Sequence, residues 1–269
     1  MGLFPDANNW HALRTFKEQM KAKRAGRTKK DIRADNFSVT ESAIDLSVQE
    51  EYLKFEKTID FESLDYKSVL MESKKLFFES TPIEAKKRIL ILLGHFGTPE
   101  SYTTIERCLK ISGQDLRNWV LLALQECRMF LESSLLGEDG GIISAGLGGK
   151  GNKIRHCFII SSKNDSPFTK LQEEIIEDKF GMASHKFNVE VEKITFRKNY
   201  SIVKILVRID IAVGKFIEAG IKECNDFLFF HYYVTNVKEP SNEEILGYLE
   251  EIKPQKKESK PVTNNVRRK

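Results

Sequence analysis

Gly146, Gly148 and Gly151 fall at the spacing G-x-G-x-x-G, the pattern with which a strand-to-helix turn wraps a pyrophosphate in backbone amides. That chemistry needs a strand before the glycines and a helix N-terminus after them, whereas here Lys153 to Ser162, which follow, read as a strand. A Walker-type loop fails as well: Ser144 stands where its first glycine belongs, and Gly151 follows Lys150 where Ser or Thr must hold magnesium. The five histidines, His11, His95, His156, His185 and His231, show no metal-ligand spacing, and His95 and His231 lie in apolar segments, as core imidazoles do. Glu173, Glu174, Glu177 and Asp178 form a charge run that reads as the solvated face of a helix, since spacing alone makes no acid/base pair. The sequence therefore assigns no catalytic residue, no cofactor and no metal.

The remaining chemistry is charge. Residues 1–35 carry nine basic against four acidic side chains, and residues 253–269 carry seven against one. That leaves 27 basic against 34 acidic in residues 36–252, a negative body between two positive ends. Cationic arms neutralise phosphates and release condensed counterions, so they hold RNA or DNA without reading its sequence. The candidate nucleic-acid contacts are Lys21, Lys23, Arg24, Arg27, Lys29 and Lys30 at one end and Arg267, Arg268 and Lys269 at the other. Lys150, Lys153 and Arg155 join them, because six glycines between Gly140 and Gly151 make that stretch a flexible basic hairpin or linker. Solubility alone, or contact with the chain's own acidic body, is the alternative use of such arms.

With 269 residues, 41% hydrophobic and 30% charged, the chain is long enough for one or two cores. Its 18 phenylalanines exclude a disordered protein, and its 16 Gly and 7 Pro exclude a collagen-like one. Apolar runs such as Ile89 to Leu93 fall far short of the roughly 20 residues of a membrane span. No secretion signal or myristoylation motif is legible at Met1 to Asp6, so a cytoplasmic protein is expected. Cys108, Cys127, Cys157 and Cys224 lack C-x-x-C spacing and sit in apolar patterns, as reduced core thiols do.

The elements divide in two. In residues 1–41, Trp10, Leu13, Phe16, Lys17 and Met20 give a helix with an apolar stripe that could dock on a partner, on the protein itself or on an anionic membrane; the whole segment reads as a basic arm. Residues 42–137 have helical period with breaks at Asp60 to Asp65, Ser80 to Pro82, Gly97 to Pro99 and Ser112 to Gln114. Thr81 is expected to cap a helix that begins at Pro82 and buries Ile89, Leu92, Leu93 and Phe96 on one face, and Thr98-Pro99 starts the next. That helix should bury Tyr102, Ile105, Cys108 and Leu109, and its successor Leu116, Trp119, Val120, Ala123, Leu124 and Cys127. A shift of 31 positions overlays Ala85, Ile89, Leu92, Leu93 and Phe96 on Leu116, Val120, Ala123, Leu124 and Cys127, an internal repeat. The stretch from Glu84 to Ser101, with its Gly94-His-Phe-Gly-Thr-Pro turn, resembles HEAT-type repeats over residues 66–136. What that resemblance implies is a surface for protein or nucleic-acid contacts, without catalysis.

After a linker over 138–152 the periodicity changes. Residues 153–252 read as strand Lys153–Ser162, a helix opened by Ser166-Pro167 with Phe168, Leu171, Ile175 and Phe180 on one side, strands Asn188–Arg197 and Ser201–Asp210, a helix capped by Asp210, strand Phe227–Thr235 and a last helix through Ile252 with a Ser241/Glu244 capping box. In the second of the paired strands Val203, Ile205, Val207 and Ile209 should face inward and Lys204, Leu206 and Arg208 outward. Val213, Phe216, Ile217, Gly220, Ile221 and Cys224 give the strongest amphipathic signal.

The order βαββαβ is that of the ferredoxin-like unit, so the expected class is α+β: helical HEAT-like hairpins, then a ferredoxin-like domain, then a disordered basic tail over 253–269. Its central strands lack the Lys/Arg-Gly-aromatic run of an RNA-recognition motif. Asp165-Ser-Pro-Phe faintly resembles the ligand loop of ACT-type regulatory domains, although Phe168 stands where those have glycine. The expected function is a non-enzymatic adaptor that binds protein partners and tethers to RNA or a ribonucleoprotein particle. The alternative is a regulatory ligand site or an enzyme in the α/β half.

Overall fold

The computed structural model describes residues 37–61, 63–136 and 141–258 of this mixed α/β protein. The chain forms two compact units that divide between Lys153 and Ile154.

The first unit is mainly helical. Asp45 caps α1 (Leu46–Glu56) by accepting from the Ser47 amide, and Asp65 caps α2 (Tyr66–Glu72) by accepting from that of Ser68. A 3-10 turn over Ser73–Phe77 leads to α3 (Ile83–Phe96). Its N-cap is Pro82, one residue past the expected Thr81, and no side chain caps it. α4 (Pro99–Ile111) starts as expected, with Thr98 accepting from the Ser101 amide at 3.1 Å, and α5 (Gln114–Leu136) runs for 23 residues.

Five consecutive residues of α3, Ile89 to Leu93, are at most 2% exposed. The expected single buried face was too narrow: neighbours on several sides make α3 the central helix, and an all-round apolar run is the sequence of such a helix. Each of these side chains contributes about 1.5–3 kcal/mol by burial. Tyr52, Val69, Leu76, Ile105, Cys108, Leu116, Trp119, Val120, Ala123 and Cys127 join them in the core, with Tyr102, Leu109 and Leu124 packed partly against it.

Three short strands of the described residues belong to this unit. β1 (Phe37–Val39) pairs in parallel with β2 (Gly141–Ile143), Phe37 opposite Gly141 and Val39 opposite Ile143. So residues 37–41 are not part of a free arm; a three-residue strand that pairs across a hundred positions leaves no local period to read. From Gly141 on, the expected linker over 138–152 is likewise built into the fold. Ile143, Ala145 and Leu147 are buried, and β3 (Gly149–Lys150) follows. Its glycines serve close approach rather than flexibility. Gly148 has φ +69°, and a Cβ there would sit 2.6 Å from the Glu41 carbonyl oxygen. At Gly149 a Cβ would stand 2.5 Å from Val39 Cγ1.

The second unit is built on β4 (Lys153–Ser161), β5 (Glu190–Phe196), β6 (Tyr200–Arg208) and β7 (Tyr233–Thr235), ordered β7-β4-β6-β5. β7 runs antiparallel to β4 and β5 antiparallel to β6. Phe158, Ile160, Val203, Ile205 and Val207 pack against Ile176 and Phe180 of α6 (Lys170–Phe187) and Phe216, Ile217 and Ile221 of α7 (Val213–Glu223). Ile159 packs instead with Ile245, Leu249 and Ile252 of α8 (Asn242–Glu258), whose Ser241/Glu244 capping box forms as expected.

Several sequence expectations shift here. α6 begins at Lys170 under a Thr169/Gln172 capping box rather than at Ser166-Pro167, and Leu171 ends 66% exposed. Asp210 caps nothing: Arg208 holds its carboxylate through two 3.0 Å bonds, and Ala212 precedes α7. Leu206, expected to face outward, is buried; it shares its face of β6 with Ile202, which packs on the Ile245, Leu249 and Ile252 cluster. The last strand covers only Tyr233–Thr235, with a lone bridge from Leu228 to Ser162 before it.

The expected disordered tail begins too early. Residues 253–258 continue α8 through Pro254, and Lys256 is 2% exposed. Its ammonium donates to the Ser162 carbonyl at 2.8 Å and to Asp165 Oδ1 at 2.7 Å and lies 5.4 Å from the Phe229 ring centre. A lysine counted by charge alone reads as solvated; this one closes a polar gap.

Candidate functional site

Lys21, Lys23, Arg24, Arg27, Lys29, Lys30, Arg267, Arg268 and Lys269 lie outside the described residues. Lys150 is exposed, and Lys150 and Lys153 flank the turn at Gly151-Asn152. Arg155 is committed elsewhere: its guanidinium grips the Glu192 carboxylate at 2.6 and 2.8 Å, which raises its pKa further. Of the tail's cations, Lys253 pairs with Glu250 and Lys256 is buried.

All four cysteines are free and buried. Burial pushes the Cys127 thiol up to about 12 and those of Cys157 and Cys224 to about 11, so they stay protonated and unreactive at neutral pH.

The described residues do bring together one set of ligating side chains, and it lies in the helical unit. Glu56 is the last residue of α1, His95 the penultimate residue of α3, and Glu126 lies midway along α5. One ligand atom from each lies within 4.8 Å of the others. His95 Nδ1 is 3.7 Å from Glu126 Oε1, while Tyr52, one turn before Glu56, donates its hydroxyl to Glu126 Oε2 at 2.6 Å. Burial, then the charge and hydrogen bond of Glu126, then the charge of Glu56, hold the Tyr52 phenol well above its ordinary pKa. It is a fixed donor.

Aromatic rings set the imidazole. Phe61 stacks on His95 at 3.7 Å between ring centres, and Phe130 meets it edge-on at 5.1 Å. Gly94 lets α3 and α5 close up, since a Cβ there would stand 3.0 Å from the Ala123 carbonyl oxygen and 3.1 Å from Glu126 Oε2. Two carboxylates and an imidazole so placed can share a proton or hold a divalent cation.

Reading His95 as a plain core imidazole missed this set. One signal was present: His95 and Glu126 stand 31 positions apart, the same offset that overlays Ile89 on Val120. Glu56 and Tyr52 carry no such mark, because α1 lies before the residues that this offset relates.

No protein-family model matches the chain, and no curated protein matches it. Among solved structures it is similar to a "putative transposase" from Deinococcus radiodurans R1, 13% identical, covering 37% of this chain and 90% of that one, with a TM-score of 0.33. A likeness that low carries no argument about fold or function. No helix among the described residues is long and apolar enough to cross a membrane.

Proposed function

We propose that the protein is a non-enzymatic adaptor, which engages protein partners through its helical unit and is tethered to RNA or a ribonucleoprotein particle by its positive ends. The observation that carries this reading is the division of charge: both ends are strongly basic and the body between them is acidic. In finer terms the helical unit is a pair of HEAT-like hairpins and the second unit ferredoxin-like. The 31-residue offset supports the first; the order β7-β4-β6-β5 with its antiparallel pairs supports the second. Met71, Phe78 and Ile111, each more than half exposed, are apolar points in the helical unit for a partner to cover. The four buried thiols favour a reducing, cytoplasmic setting.

The test is co-sedimentation of the full chain with total RNA at rising salt, against variants that lack residues 1–35 or residues 259–269. The second deletion begins beyond α8, so it leaves Lys256 in place. Removing both ends should weaken binding about ten- to a hundredfold at low salt and flatten its salt dependence. Equal binding by the doubly shortened chain refutes the tether.

A further inference from the structure

We infer that Glu56, His95 and Glu126 form a binding site for one first-row divalent transition-metal ion of the zinc class, which ties α1, α3 and α5 together. The donor set comes first. One imidazole nitrogen with two carboxylate oxygens suits zinc and its first-row neighbours, whereas magnesium and calcium prefer oxygen alone and keep more water. The three donors come from three helices and converge although 39 and 31 positions separate them in sequence.

The distances agree with that chemistry. Donors bound at about 2.1 Å in a tetrahedron stand about 3.4 Å from one another. His95 Nδ1 and Glu126 Oε1 are 3.7 Å apart, so a few tenths of an ångström close that edge. Three donors within 4.8 Å of one another need only rotamer-scale adjustment, and they leave a fourth position for water or an exogenous ligand.

Independent support comes from the surroundings. Glu126 is only 9% exposed, and the groups that meet its two oxygens are a phenol and an imidazole, neither with a permanent positive charge. A buried carboxylate in that position gains from a cation. Tyr52 fixes Oε2 and thereby presents Oε1 toward His95, while Phe61 and Phe130 restrict the ring. Such partners around the ligands are a regular part of a metal site, because they hold donors in place before the ion arrives. The inference does not depend on the adaptor reading, which concerns the chain's ends.

The experiment is a calorimetric titration of the full chain, first stripped with a chelator, with zinc, manganese and magnesium chlorides in turn. One equivalent of zinc should bind, manganese more weakly, and magnesium not measurably. Cobalt(II) in place of zinc should give the visible absorption of a low-coordinate site. Tyr52→Phe should weaken zinc binding by about 10- to 100-fold, as the loss of an orienting partner does, and Glu56→Gln and His95→Gln by more. His185→Gln, on α6 of the other unit, should change nothing. Circular dichroism establishes that each variant folds; should His95→Gln not fold, Glu56→Gln decides, since Glu56 is half-buried at a helix end. Absence of zinc binding overturns the inference. So does zinc binding unchanged in Glu56→Gln, or magnesium binding as tight as that of zinc.

Discussion

Replacing Lys256 with methionine keeps its aliphatic stem beside Phe229 and removes the ammonium that joins Asp165 to the Ser162 carbonyl. Hydrogen bonds to a charged group are each worth about 1.5–3 kcal/mol, but the variant also escapes the cost of taking a cation out of water. Asp165, with a side chain 38% exposed, rehydrates when the lysine is gone. The net loss should be about 1–2 kcal/mol. Asp165→Asn takes the carboxylate away from a cation that is 2% exposed, which should cost about 2–4 kcal/mol. Asparagine suits this test because Asp165 has φ +56°, a conformation that Asn also tolerates. Carrying both changes should cost little more than Lys256→Met alone, since the buried cation is then absent.

Hydrogen exchange of β6 amides, read at buried Ile205 and Val207, reports the stability of this unit by itself. Exchange should accelerate about 5- to 30-fold in Lys256→Met and about 30-fold or more in Asp165→Asn. Truncation after Ile252 should match or exceed Lys256→Met. If Asp165→Asn costs no more than Lys256→Met, or if truncation after Ile252 is neutral, the account of a buried cation holding α8 to the end of β4 is wrong.

Burial pushes His156 down to about 4, so the folded unit holds it neutral while an unfolded chain protonates it near 6.5. The sign follows from a depressed folded value: its contribution is complete above about pH 6.5 and is lost as pH falls toward 4, and His156→Gln should flatten the stability profile in that window. Parallel profiles for the two proteins would show that burial does not set this histidine's charge. Gly97 ends α3 with φ +58°, and a Cβ there would stand 2.3 Å from Phe130 Cβ, so Gly97→Ala should cost about 2–4 kcal/mol in urea unfolding followed by tryptophan fluorescence. Gly113→Ala, with open space around it and an ordinary φ, is the control and should cost about 1 kcal/mol or less, the preference for glycine over alanine just before a helix.

What the sequence discloses depends on how far apart the interacting residues lie. The helices of the first unit were legible because Thr98-Pro99 and apolar residues at helical spacing act within a few positions; Thr98-Pro99 and the face of α7 agree with the structure. Errors gathered where the deciding partner is distant. Phe37–Val39 is a strand only because Gly141–Ile143 lies beside it, and Gly148 and Gly149 are tight because Glu41 and Val39 press on them. In sequence alone, a glycine kept for close packing and a glycine kept for flexibility are the same letter. Lys256 misled for the same reason: its partners, Ser162 and Asp165, are more than ninety residues away.

The 31-position offset is the exception, since a fixed offset turns a distant relation into a countable one. Val120 stands 31 positions on from Ile89 in the same apolar core, and Glu126 stands 31 positions on from His95, which it meets at 3.7 Å. Applied only to apolar residues, that offset describes the core. Applied to every residue, it pairs a histidine with a carboxylate at an interface between packed helices, where an ionisable group is costly unless it has a partner. A polar pair at such an offset, set between packed helices, is therefore a natural place for a bound ion, and Glu56, which carries no such offset, reaches it only through the fold.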